Sequence, residues 1–365
     1  MNIPFVDLKS QYNNIKLEID SAIQSVINET SFIKGKYVDI FEENYAKAYG
    51  VNNVVSCANG TDAIYISLKA LDIGQGDEVI TVANSWISTS ETITQSGAKV
   101  VFVDIDPDYY TIATDKIEAK ITDQTKAIIP VHLYGHPVNM DDIMRIAKKY
   151  GLYVIEDCAQ AHFAKWKGQY VGTFGDAGTF SFFPGKNLGA YGDAGGIISN
   201  NDNFSRTARV FANHGALIKH QHETEGINSR LDGLQAAILS VKLKYILNWN
   251  EKRYNHARYY NKLLNTNDVV TPKIHKHANP VFHLYVIRVE ERASLVEYLK
   301  DKGISTAIHY PTPLPFLEAY NYLNHKHSDF PVSASYQSQI LSLPIYPEMT
   351  KNMIEYVVES LKQFY

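Results

Sequence analysis

The sequence predicts an α/β fold, a large unit with a mostly parallel seven-stranded sheet followed by a smaller α+β unit. Three observations carry that prediction. Short apolar runs alternate with amphipathic ones over the first ~245 residues, the rhythm of βαβ units. Most of the apolar runs are continuous rather than alternating, as in strands buried on both faces. After about residue 250 the texture changes to sparser, mixed elements.

The strand candidates are Val54–Ser56, Glu78–Val82, Lys99–Val103, Ala127–Val131, Tyr153–Glu156, Thr179–Phe183 and Gly196–Ser199. Between them, Ala63, Ile64, Leu68 and Leu71 form one helical face, and Ile143, Ile146 and Ala147 another that Gly151 ends. Leu234, Ile238, Val241 and Tyr245 recur at helical spacing and predict the start of a long helix crossing to the second unit. Beyond it, Val281–Val289 and Ile304–Tyr310 read as strands, and Ala293–Lys302 and Lys351–Phe364 as helices. The division expected is an arm at 1–15, lying against a neighbour, a large domain at 16–248 and a small domain at 249–365.

Composition excludes several classes of function. The 365 residues carry 35 basic and 39 acidic side chains, a formal charge of −4, so no basic excess advertises nucleic-acid binding. No run of about 18 apolar residues is present to span a membrane. The opening Met1-Asn2-Ile3-Pro4 lacks the basic and apolar regions of a secretory signal, and a cytoplasmic location is expected. Two cysteines, Cys57 and Cys158, cannot form a disulfide framework or a CxxC metal pair.

Parallel sheets place ligands at the carboxyl ends of their strands, so the residues just after each strand matter most. Asn59-Gly60-Thr61-Asp62 follows the first strand and opens a helix, whose free N–H groups and positive dipole end suit a phosphate. An ordinary Thr or Asp helix cap is the plainer alternative. No GxGxxG or GxxxxGK[ST] run is present. Asp157 ends an apolar run, where an unpaired carboxylate is costly. It needs a cationic partner, either a structural ion pair or a protonated heterocyclic nitrogen, unless it caps a helix. Lys186 stands between the aromatic run Phe182-Phe183-Pro184 and a glycine-rich segment. An apolar setting there pushes its amine toward the neutral, nucleophilic form that makes a Schiff base. Together the three sites describe pyridoxal 5′-phosphate: phosphate at Gly60 and Thr61, ring nitrogen on Asp157, aldehyde on Lys186. Trp86 follows another strand and either covers the ring or packs in the core. His214, His220 and His222 share a polar loop with Lys219, either touching a nucleotide or simply solvated; no HExxH spacing supports a metal. His309-Tyr310 follows a strand candidate and could meet the substrate.

With these motifs in this order, the chain resembles the DegT/DnrJ/EryC1/StrS family, nucleotide-sugar aminotransferases of the PLP-dependent transferase fold type I. The resemblance runs from Pro4-Phe5-Val6-Asp7-Leu8 almost to the C-terminus. It rests on Asn59-Gly60-Thr61-Asp62-Ala63, Glu156-Asp157-Cys158-Ala159-Gln160-Ala161-His162, Ser181 to Lys186 with Gly192-Asp193, and Asn228-Ser229-Arg230-Leu231-Asp232 with Gln235-Ala236-Ala237. It implies that Lys186 carries pyridoxal phosphate as an internal aldimine and shuttles protons, with pyridoxamine phosphate as the intermediate form. It also implies that Asp157 holds the ring nitrogen, Gln160 lies near the ring oxygen, and Gly60, Thr61 and Ser181 bind the phosphate. Trp86 stands where an aromatic residue usually covers the cofactor, and Cys158 where alanine is usual. Asn228 would reach the phosphate of a partner copy, making a homodimer with composite sites. The implied substrates are a dTDP- or UDP-linked keto-deoxysugar and L-glutamate, which leaves as 2-oxoglutarate, in amino-sugar and surface-glycan synthesis. The Asn-Ser-Arg-Leu-Asp form leans toward amination at C3, with C4 as the alternative. A sugar dehydratase or a non-catalytic protein of the same fold are further alternatives, and Lys186 argues for transamination.

Overall fold

The computed structural model describes all 365 residues. Its first half runs α1 (Leu8–Asn28), α2 (Lys36–Tyr49), β1 (Asn53–Cys57), α3 (Gly60–Ala70), β2 (Glu78–Val82), α4 (Ser88–Gln95), β3 (Lys99–Val103), β4 (Thr125–Ile129), α5 (Met140–Tyr150) and β5 (Tyr153–Asp157). Two short strands, β6 (Lys165–Trp166) and β7 (Gln169–Tyr170), precede β8 (Ala177–Ser181), β9 (Gly195–Ser199), α6 (Asp202–Phe211), α7 (Gly233–Leu243) and α8 (Ile246–Leu263). The remainder is β10 (Ala278–Asn279), β11 (Tyr285–Arg288), α9 (Arg292–Asp301), α10 (Pro331–Tyr336), β12 (Ile340–Leu343) and α11 (Lys351–Phe364). No helix is long and apolar enough to cross a membrane.

Seven strands form the main sheet in the order β1-β9-β8-β5-β4-β2-β3. Six point the same way; β9 alone runs against its neighbours β8 and β1. The mostly parallel α/β expectation therefore holds. Alternate residues along the strands feed opposite faces: Val79, Ala127, Ile129 and Ile155 join one core with α3, α4 and α6. Ile80, Val82, Ile128 and Val154 enter another with α5. Burial on both faces is why these strands read as continuous apolar runs. α5 shows local logic at both ends, with Asn139 accepting from the Asp142 N–H and Gly151 leaving in the left-handed region at φ +65°.

Three expectations shift. The segment predicted to start one long helix is two, because α7 ends at Leu243 and α8 begins at Ile246. Ile304–Tyr310 forms no strand; only isolated bridges join Ile304 to Ile3 and Ala307 to Ser342. Of Val281–Val289, only Tyr285–Arg288 is a strand, antiparallel to β12. The opening residues touch their own chain: Ile3 is fully buried in the C-terminal core beside Leu295, Ile304 and Leu343, and α1 runs across position 15.

Candidate active site

Five strand ends converge on one edge of the sheet, those of β1, β2, β4, β5 and β8, and a cavity of about 410 Å³ opens there. Nine of the residues singled out from sequence line it: Gly60, Thr61, Trp86, Asp157, Gln160, Ser181, Lys186, His309 and Tyr310. Asn228 and Lys219 do not; both are exposed on the segment between α6 and α7.

At the end of β1, Asn59 caps α3 by accepting from the Asp62 N–H at 2.8 Å. The cap is thus Asn59, and the Thr61 hydroxyl is left to meet the Ser88 hydroxyl at 2.7 Å. Gly60 is required by packing. A Cβ there would stand 2.6 Å from the Ser181 Cβ, so the first turn of α3 lies directly on the end of β8. Ser181 is in turn held by His162, whose Nε2 donates to the Ser181 carbonyl at 2.9 Å. The His162 Nδ1 then accepts from the Tyr45 hydroxyl at 3.1 Å, and burial pushes its pKa down to about 3, so the ring is neutral.

Asp157 ends β5 and is buried. Its Oδ2 accepts from the Thr89 hydroxyl at 2.8 Å and its Oδ1 from the Ala159 N–H at 3.1 Å. No cation pairs with it and no helix follows it, so neither plain alternative describes it. Burial raises its pKa, opposed by those two hydrogen bonds and by the charge of Lys186.

Lys186 sits in the connection from β8 to β9, the strand that runs against both its neighbours. Its amine takes part in no hydrogen bond or ion pair, and burial lowers its pKa to about 8, with Asp157 pulling the other way. Trp86 is 59% exposed at the cavity mouth, its ring centroid 5.8 Å from that of Tyr310, so it is no core residue. Gln160 accepts from the Tyr134 N–H at 2.6 Å and donates to the Tyr310 hydroxyl at 3.1 Å. His309 is tied to the Ser342 hydroxyl at 2.8 Å and stacks on Phe5 with centroids 5.7 Å apart.

Sequence reasoning missed Ser88 and Thr89, whose hydroxyls meet Thr61 and Asp157. The Ser-Thr-Ser run just after β2 was the available signal. His132, Glu156 and Cys158 come within 4.8 Å of one another, but His132 and Glu156 are already engaged. Glu156 accepts from the N–H groups of Gly172, Phe174 and Gly175 and from His132, whose Nδ1 accepts from Val138.

The donor set fits pyridoxal phosphate. A buried carboxylate without a cation suits a protonated ring nitrogen, and an unpartnered amine near neutrality suits an aldehyde. A helix N-terminus ringed by the hydroxyls of Thr61, Ser88 and Ser181 suits a phosphate.

The sequence profile of the DegT/DnrJ/EryC1/StrS aminotransferase family matches residues 13–362. The chain is 45% identical over 368 residues to the "Pleiotropic regulatory protein" of Geobacillus stearothermophilus, covering 100% of this chain and 99% of that protein. It is 43% identical over 362 residues to the dTDP-3-amino-3,6-dideoxy-alpha-D-galactopyranose transaminase of Aneurinibacillus thermoaerophilus, covering 99% of each. Among solved structures, S. venezuelae DesV in complex with a ketimine intermediate is 35% identical, with a TM-score of 0.97 over 100% of this chain and 98% of that one.

Proposed function

The chain belongs to the DegT/DnrJ/EryC1/StrS aminotransferase family, and from that premise we propose that it moves an amino group from L-glutamate to C3 of a dTDP- or UDP-linked keto-deoxysugar. It is an aminotransferase whose cofactor is pyridoxal 5′-phosphate. The observation that carries the reading is one cavity holding an unpartnered amine, Lys186, and a buried carboxylate without a cation, Asp157.

Bound there, pyridoxal phosphate supplies an electron sink for the charge left when a proton leaves the carbon bearing the amino group. Asp157 keeps the ring nitrogen protonated by pairing its carboxylate with that N–H. Lys186 Nζ, its pKa brought down to about 8 by burial, would take the proton from the donor carbon as base and give it up as acid to the carbon on the far side of the transferred nitrogen. The N-terminus of α3, with Gly60, Thr61, Ser88 and Ser181, holds the phosphate. Trp86 would cover the cofactor ring, and Gln160, braced by Tyr134 and Tyr310, would hold the ring beside it. His309 and Tyr310, lining the same cavity, would face the sugar. Asn228 and Lys219, outside their own chain's cavity, serve the site of a second copy: Asn228 at the phosphate, Lys219 at the nucleotide.

The amino position is read out by incubating the protein with glutamate and dTDP- or UDP-linked 3-keto and 4-keto sugars, and assigning products by NMR. Amination at C3 is expected. Amination at C4 alone would reject the C3 assignment, and turnover by Lys186→Ala would reject the mechanism. A non-catalytic regulatory role, suggested by one relative's name, requires that no sugar in the panel be aminated and that borohydride trap no cofactor adduct on Lys186.

A further inference from the structure

The loop carrying Lys186 is held from behind by a charged residue that none of the roles above uses. Lys242 lies on α7 with its side chain fully buried. Its Nζ donates to the Gly189 carbonyl at 2.6 Å and stands 4.2 Å from the centroid of the Tyr191 ring. No carboxylate forms an ion pair with it; Glu348 acts on it only at longer range. An ammonium buried in this way is costly, and an apolar side chain of similar length would fill the volume without that cost. What the amine holds is therefore the informative fact.

It holds the loop. Lys186 N–H donates to the Phe183 carbonyl at 2.8 Å, and Ala190 N–H to the Phe182 carbonyl at 2.7 Å, closing residues 182–190 on themselves with Lys186 midway. Gly189 presses on the start of that loop so closely that a Cβ would stand 2.4 Å from the Pro184 carbonyl oxygen. Gln235, seven positions before Lys242 and so on the same face of α7, accepts from the Tyr191 N–H at 2.8 Å. One face of α7 thus grips the loop at Gly189 and at Tyr191.

We propose that Lys242 is a positioning residue for Lys186: by fixing the Gly189 carbonyl it sets where the reactive amine stands in the cavity. This rests on the reading of Lys186 as the amine that condenses with the cofactor. The test strips the full-length protein of cofactor and reloads it with pyridoxal phosphate. Borohydride-trapped adduct at position 186 is followed by peptide mapping, with thermal unfolding in parallel. Lys242→Met removes the donor and the charge. It is expected to melt no lower than the native protein, because a buried charge is gone, yet to load Lys186 about tenfold more slowly. Lys242→Leu carries the same expectation should the Met variant not fold. Lys242→Gln keeps a donor and should load faster than either. A folded Met or Leu variant loading at the native rate overturns the proposal, as does a folded Gln variant no faster than they are. If the native protein itself gives no adduct at Lys186, the catalytic reading falls instead.

Discussion

Lys186 shows how much of the chemistry lies in surroundings rather than in residue type. An exposed lysine is protonated up to about pH 10.5, whereas burial brings this one down to about 8 even with the Asp157 carboxylate nearby. The amine attacks an aldehyde only in its neutral form, and that fraction grows as pH rises through the folded-state value. In the cofactor-free protein, the rate of adduct formation at Lys186 should therefore climb about tenfold per pH unit below 8 and level off near there. Stopped-flow absorbance from pH 6 to 10.5 reads this directly, and a rate still climbing toward 10.5 would contradict it. The same shift means the folded chain binds fewer protons than the unfolded one between 8 and 10.5, so this group makes folding more favourable as pH rises through that window. Lys186 and Asp157 were legible in the sequence because a lysine among aromatic and glycine residues, and an acid ending an apolar run, are both costly unless they do something. Ser88 and Thr89 were not, because hydroxyl residues at a helix start are common and only the fold brings theirs to Thr61 and Asp157.

At the level of elements, what the sequence encodes locally was readable and what depends on distant pairing was not. β2 to β5 stand close to where continuous apolar runs put them, since burial on both faces leaves its mark on each residue. The reversed direction of β9 has no such mark, because a strand buried on both faces reads alike in either direction. The break between α7 and α8 fell inside an unbroken helical pattern, and Ile304–Tyr310 buries Ile304 in the C-terminal core while bridging at only two points. Gly60 is the case where an element contact reinterprets a motif. Its missing Cβ lets α3 sit on β8, and so brings the helix N-terminus to Ser181. Gly60→Ala places a carbon 2.6 Å from the Ser181 Cβ, and backbone must move to relieve it. We expect a stability loss of about 1–3 kcal/mol and weaker cofactor binding together, measured by urea unfolding of the cofactor-free protein and by cofactor titration. Native values for both would show that the contact does not constrain the site.

For the whole molecule, the question is what stands opposite the apolar side chains left on the surface. Phe32, Ile33, Phe183, Leu217 and Ile218 are between 42% and 61% exposed. Phe183 lies at the cavity, and the others gather by the segment that carries Asn228: Ile33 bridges to Asp232, Phe32 accepts from the Gly233 N–H, and Leu217, next to Ile218, lines a cleft with Ser229 and Arg230. Exposed apolar side chains gathered in this way suit the proposed second copy, and a two-fold partner would bring its own Asn228 in return. If each cavity is completed by Asn228 of the other copy, Lys186→Ala and Asn228→Ala are lesions in different chains of one site. A mixed dimer then places both lesions in one cavity and leaves the other intact. Two nearly inactive variants, unfolded together and refolded as a mixture, should regain about a quarter of native activity, because half the dimers are mixed and each has one whole site. Refolding the two separately and combining them under conditions that prevent exchange serves as the control and should recover nothing. If the co-refolded mixture stays inactive while containing mixed dimers by mass, each site draws its lysine and its asparagine from one chain, and the shared-site arrangement is wrong.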